Sequence, residues 1–374
     1  MFPTQETARR RRSMSGVIAI TLTFLLAFTS ACSGERADST TAPGASRGGD
    51  TVRLQGAGAT FPMPIYQKWL SEYGKVNPKA KIDYQSIGSG GGIQQIQSQT
   101  VDFGASDAPM SNDDLKKAPG ELLHIPTVLG AVVITYNLQG VGQPLRFSPD
   151  VIADIFLGKI KRWDDARIKA DNAGVSLPAN DIAVVHRSDG SGTTAVFTDY
   201  LAKVSPEWKT KPGAGKSIDW PVGQSGKGNE GVSGQIKQQP NTIGYVELAY
   251  AVQTKLPVAV IRNKAGNFVE PSLDAVTAAA AESLATTPED LRVSITDAAG
   301  ASAYPISSYT YILVYKEQKD AAKGKALVDF LWWALHDGER FAKDLQYAPL
   351  PAEIVEKASA KLNAITSGGK TLRS

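Results

Sequence analysis

The chain has 374 residues, with 40 Lys and Arg against 37 Asp and Glu, three His and a single Cys. One cysteine excludes an intramolecular disulfide framework and a cysteine-built zinc site. The first 32 residues hold four Arg and one Glu, so the remainder carries 36 of each sign and predicts no broad nucleic-acid footprint.

Arg9 to Arg12 and the apolar run Val17 to Phe28 read as a secretory signal, too short for a membrane span. Thr29-Ser30-Ala31 leads into Cys32, and a small-residue triplet before a lone Cys resembles the bacterial lipoprotein signal. Thr29 stands where that signal usually has Leu; the alternative is ordinary cleavage leaving a free thiol. A lone exposed thiol is a liability in a secreted protein, which favours a lipid on Cys32 and hence an anchored chain. Residues 33–50, rich in Ser, Thr, Ala, Gly and Arg, read as a flexible tether.

From residue 51 onward, strand and helix patterns alternate, which predicts an α/β protein. Three stretches share one pattern: a strand, a Gly/Ser/Thr turn, a helix start. They are Thr51–Gln55 into Gly56-Ala57-Gly58-Ala59-Thr60-Phe61, Lys81–Gln85 into Gly88-Ser89-Gly90-Gly91-Gly92, and Ile182–Val185 into Arg187-Ser188-Asp189-Gly190-Ser191-Gly192-Thr193-Thr194. Helix starts offer unpaired N–H groups, so three of them aimed at one point would cage an anion with neutral donors. Ile65, Trp69 and Tyr73 mark the first helix, and Ile93 and Ile96 the second. Val101–Ala105 reads as a short strand ending at Ser106-Asp107. Val128–Asn137 and Tyr309–Tyr315 read as long apolar strands, with a self-contained run of elements between them. Leu273–Ala285 and Lys325–Leu345 read as helices, the latter carrying Trp332 and Trp333 as core packing. One lobe is therefore expected to take residues 51–137 and 305–374, with 138–304 inserted as the other and a hinge between them.

Several motifs fall away on spacing. In the first turn Phe61 occupies the third glycine position of the dinucleotide fingerprint. Gly223–Gly228 is too short for a phosphate loop and ends in Gly where a magnesium-binding Ser or Thr is needed. Asp189-Gly190-Ser191-Gly192 lacks the first glycine of a nucleophile elbow. No cofactor is expected, and the widely spaced His124, His186 and His336 form no metal motif.

Arg187 can offer a bidentate fork to a tetrahedral oxyanion, with Ser191 and Thr193 adding donors and Asp189 holding the guanidinium. The alternative is a Ser191 helix cap beside a surface Arg. Asp107 repels a dianion unless a proton lies between them. A phosphate carries such a proton and sulfate at neutral pH carries none, so this acid would admit one and reject the other. The alternative is a turn residue before Pro109.

Taken in order, Gly56–Pro62, Gly88–Gly92, Val101–Pro109, Arg187–Thr193, Gly226–Asn229 and Ile243–Glu247 resemble the phosphate-binding proteins of bacterial high-affinity phosphate ABC importers. The resemblance spans nearly all of residues 51–362. It implies a two-lobed, periplasmic-type (type II) fold with phosphate dehydrated in the interdomain cleft. The ligands carried over are Thr60, Phe61, Ser89, Asp107, Arg187, Ser191, Gly192 and Thr193, with Asp189 orienting Arg187. Gly90 departs from the pattern, since many members have Ser there. The implied partners are inorganic phosphate and the permease and ATPase of an importer, with Cys32 tethering a non-enzymatic receptor to the outer face of the membrane. Rival readings are a secreted phosphatase with Ser191 as nucleophile, and a surface phosphate sensor on the same fold.

Overall fold

The computed structural model describes residues 51–373, so the signal, Cys32 and the tether lie outside the described residues. Eight strands form one mixed sheet: β1 (Val52–Gly58), β2 (Ala80–Ser86), β3 (Phe103–Ser106), β4 (Leu122–Asn137), β5 (Ala183–Arg187), β6 (Gln224–Gly226), β7 (Thr242–Glu247) and β8 (Ser307–Tyr315). Their order across the sheet is β2-β1-β3-β8-β4-β7-β5-β6. At one end β1 pairs in parallel with β2 and β3; at the other, β5 pairs in parallel with β6 and β7. β4 joins the two ends. Its residues Leu122 to Ala131 pair antiparallel with β8, and Val132 to Asn137 pair antiparallel with β7.

The parallel strands run into helices. β1 leads to α1 (Met63–Val76), β2 to α2 (Ser89–Gln97), β5 to α3 (Gly192–Val204) and β6 to α4 (Gly228–Gln238). Strand ends and helix starts thus share one rim of the sheet at each end, which is where open α/β sheets hold their ligands. α1 buries Ile65, Tyr66, Trp69 and Tyr73, the apolar stripe predicted from their spacing. Trp69 is fully buried and stacks on Tyr66, ring centroids 5.6 Å apart. In a packed core a side chain of that size is worth about 3–5 kcal/mol against Ala.

Three elements have a boundary four or more residues from the sequence expectation. β4 starts at Leu122, six residues before Val128, and the reason it was hidden is Pro126. The register against β8 shifts between Thr310 and Tyr311, where Thr310 faces Val128 but Tyr311 faces Pro126. That bulge absorbs a residue with no N–H to give. The helix carrying Trp332 and Trp333 is α5 (Ala321–Leu335), capped by Asp320; it stops ten residues short of Leu345, two 3-10 turns follow, and a further helix spans Ala352–Asn363. Gly338 lies in the first of these, and its carbonyl accepts the Trp69 Nε1–H at 2.8 Å. The Ala-rich helix ends at Ala281, followed by a 3-10 turn over Leu284–Thr286. Trp333 is buried against Tyr73, whereas Trp332 is half-buried under the Arg373 guanidinium, 3.6 Å from its ring.

Candidate functional site

Asp107 follows the last residue of β3 and is 1% exposed. Its Oδ1 accepts the Thr310 hydroxyl at 2.8 Å, and Ser89 Oγ lies 3.5 Å from its Oδ2. The Asp107 N–H donates to the same Ser89 Oγ at 3.3 Å, and Ser308 Oγ donates to the Asp107 carbonyl at 3.0 Å. Burial pushes this carboxyl up to about 7, against the Thr310 and Ser89 hydrogen bonds and the charge of Arg187. Asp107 therefore sits where a carboxyl can exchange a proton with a guest near neutrality.

Arg187 ends β5 with a side chain 1% exposed. Its Nε donates to Asp189 Oδ1 at 2.8 Å and its second terminal nitrogen to Oδ2 at 2.5 Å. The remaining terminal nitrogen donates to Thr193 Oγ1 at 3.3 Å. Asp189 also accepts the Gly228 N–H at 3.0 Å. Burial opposes its charge, yet the bonds and charge of Arg187 and the Gly228 N–H hold it below the usual carboxylate range. Asp189 and Thr193 thus hold the Arg187 guanidinium through all three of its nitrogens.

The helix starts supply the donors. Ser89 and Gly192 open α2 and α3 and Thr193 follows, positions whose N–H groups no carbonyl of their own helix can reach. Ser191 caps α3, its Oγ accepting the Thr194 N–H at 3.0 Å. The alternative reading of Ser191 as a cap is therefore correct in geometry. The accompanying surface Arg is not, since Arg187 is buried.

Residues from both ends of the sheet meet here. A Cβ on Gly192 would lie 2.4 Å from both Asp107 Oδ2 and Ser89 Oγ, so only glycine allows α3 to come this near. The Gly90 N–H donates to the Gly190 carbonyl at 2.8 Å, and a Cβ on Gly90 would stand 3.0 Å from Gly190 Cα. Lys216 Nζ lies 3.1 Å from Asp114 Oδ2, a further tie across the same gap. Thr60 is buried and joins Asn229, whose Nδ2 donates to Thr60 Oγ1 at 2.7 Å and to Thr193 Oγ1 at 3.2 Å. Phe61 is the one predicted residue whose side chain turns away: it packs beside Gly130 and Tyr347, and its carbonyl accepts the Tyr347 hydroxyl at 2.6 Å.

Sequence reasoning missed Thr310, Asn229 and Glu247. Thr310 lies mid-strand in a run read as core. Asn229 is the second residue of α4, a fourth helix start that Gly228 opens in the left-handed region at φ +71°. Glu247 is fully buried at the end of β7. Its N–H donates to Asn229 Oδ1 at 3.0 Å, and its Oε2 accepts the Tyr347 hydroxyl at 3.1 Å. Burial pushes its carboxyl well above the usual range.

Helix starts converging from two ends of one sheet on a sequestered acid and guanidinium define a two-lobed substrate-binding protein. Residues 45–334 match the family model of the PBP superfamily domain. The chain is 46% identical over 326 residues to the phosphate-binding protein PstS of Xylella fastidiosa, covering 87% of this chain and 88% of that one. It is 48% identical over 323 residues to PstS of Pasteurella multocida, covering 85% and 93%. It belongs to the PstS family of phosphate-binding proteins. The crystal structure of a phosphate binding protein from Stenotrophomonas maltophilia shares the fold, with a TM-score of 0.64 at 20% identity over 83% of this chain and 93% of that one.

Proposed function

We propose that this chain is an extracytoplasmic receptor that binds inorganic phosphate between its lobes and delivers it to the permease of an ABC importer, whose ATPase supplies the energy. Residues 51 to 131 with 305–374 form one lobe and 132–304 the other, so the first lobe ends before the expected residue 137. The change of partner along β4 at Ala131 and Val132 supports a crossing near that point. The hydroxyls of Thr60, Ser89, Ser191 and Thr193 and the N–H groups of Phe61 and Gly192 donate to the anion, Arg187 supplies the positive charge, and Asp107 accepts the proton of hydrogen phosphate or dihydrogen phosphate.

The observation that carries this reading is Asp107, a buried carboxyl facing a set of donors. An acceptor there is of use only to an oxyanion that bears a proton. Because both lobes contribute, binding favours their closed arrangement. Calorimetric titration at about pH 9, where a carboxyl held at about 7 is ionised, tests it: phosphate binds, and sulfate binds at least ~100-fold more weakly. Equal affinity for the two anions would overturn it.

The receptor does no chemistry on its ligand. Ser191 is occupied as a helix cap, and the three histidines are engaged elsewhere. His124 accepts the Met110 N–H at 3.0 Å, His186 stacks on Trp220 and His336 on Trp332. Among the described residues no helix is long and apolar enough to cross a membrane. A lipid on Cys32, followed by the tether of residues 33–50, holds the receptor at the outer face. Mass spectrometry of the membrane fraction checks this, and an unmodified Cys32 thiol in the mature protein would remove the anchor.

A further inference from the structure

We propose that Asn229 is a positioning residue that makes the Thr60 and Thr193 hydroxyls donors only, directed at the bound anion; the proposal rests on the phosphate reading above. A hydroxyl has one proton to give and two lone pairs with which to accept. Left to itself it can turn either way, and toward an anion only one way helps. Thr60 Oγ1 accepts from Asn229 twice, from Nδ2 at 2.7 Å and from the backbone N–H at 3.3 Å. Thr193 Oγ1 accepts from Asn229 Nδ2 at 3.2 Å and from Arg187 at 3.3 Å. Both hydroxyls therefore have their lone pairs filled, and each proton remains for the guest.

The amide can do this in only one orientation. Its Oδ1 accepts the Glu247 N–H at 3.0 Å, which places the NH2 end on the two threonines. Asn229 is fully buried, so water does not stand in for it. Thr60 precedes the β4 crossing, whereas Thr193 and Asn229 lie after it in the chain. One side chain thus aligns donors from both ends of the sheet, and the Thr60 hydroxyl is fixed only while the two ends are together. Asp107 is not held by this amide, so the acid keeps its accepting role while its neighbours give theirs up.

A double-mutant cycle read by phosphate calorimetry on the intact mature protein tests this. Asn229→Ala should weaken phosphate binding about 10–30-fold where both hydroxyls are present. In a Thr60→Val/Thr193→Val background the same change should cost less than about threefold, because nothing is left to orient. Equal losses in the two backgrounds would overturn the proposal and leave Asn229 a structural residue. If Asn229→Ala does not fold, Asn229→Asp runs the same cycle. It keeps the acceptor for the Glu247 N–H, its added charge repels phosphate in both backgrounds and cancels, and the same two outcomes decide. A parent protein that binds no phosphate refutes the phosphate reading itself, and is seen before any variant is made.

Discussion

Replacing Asp107 with Asn changes one atom's polarity at the point where the anion's proton is expected. The Asn carbonyl can keep the 2.8 Å bond from Thr310, which puts Nδ2 where Oδ2 now faces Ser89 and Gly192. For sulfate at about pH 9, protonating a carboxyl held at about 7 costs about 3 kcal/mol, and left ionised it is a buried acceptor with no proton to accept beside a like charge. Turning that acceptor into a donor removes the cost, and about 3 kcal/mol is a factor of roughly 150 in affinity. Sulfate binding should therefore strengthen about 100-fold in Asp107→Asn, while phosphate, losing one charge-assisted bond, weakens by about tenfold. Calorimetry with each anion at about pH 9 measures both. Sulfate affinity within about threefold of the parent would refute the reasoning, because the acid would then not be the group that rejects it.

The same carboxyl leaves a mark on stability. Held at about 7 in the fold against an ordinary 3.8, it keeps a proton that the unfolded chain has lost, so its contribution to stability falls as pH rises from about 4 to about 7. His124, held at about 3 chiefly by burial, acts in the opposite sense, its neutral form losing ground as pH drops below 6.5. Urea unfolding without ligand at pH 4.5 and 7.5 separates them: Asp107→Asn should gain on the parent at the higher pH, and a constant gap would count against the shift. Arg187→Ala removes the cation and strands the Asp189 carboxylate, so phosphate affinity should fall about 1,000-fold by calorimetry; a loss under tenfold would put the cage elsewhere. Gly192→Ala places a methyl 2.4 Å from Asp107 Oδ2 and Ser89 Oγ, and about 100-fold weaker phosphate binding is expected. Unchanged affinity would mean that α3 does not need this approach to hold the ligand.

What was legible in the sequence was what chemistry writes locally. Gly, Ser and Thr after a strand announce a turn into a helix, and the three turns were read from that; Thr60 and Ser89 as ligands came from the family resemblance, and the Arg187–Thr193 segment alone left a helix cap as an equal alternative. Asp107 stood out as an acid in a place that should repel an anion. Its hydroxyl partner Thr310 did not, because a Thr in a β-branched strand looks like packing until the strand beside it is known. Asn229 closes the Gly226–Asn229 stretch that helps to carry the family resemblance, but no role was read for it, since its meaning comes from Thr60, 169 residues earlier. Strand limits failed for a similar reason: Pro126 argues locally against a strand, and only the shifted register on β8 makes room for it.

The sixteen residues of β4 are common property of both ends of the sheet. Between Leu122 and Asn137 there is no bond whose cleavage would yield two finished modules, since one loses its neighbour to β8 and the other its neighbour to β7. Sequence order and architecture therefore divide this molecule differently, and its two halves are inherited as a single object.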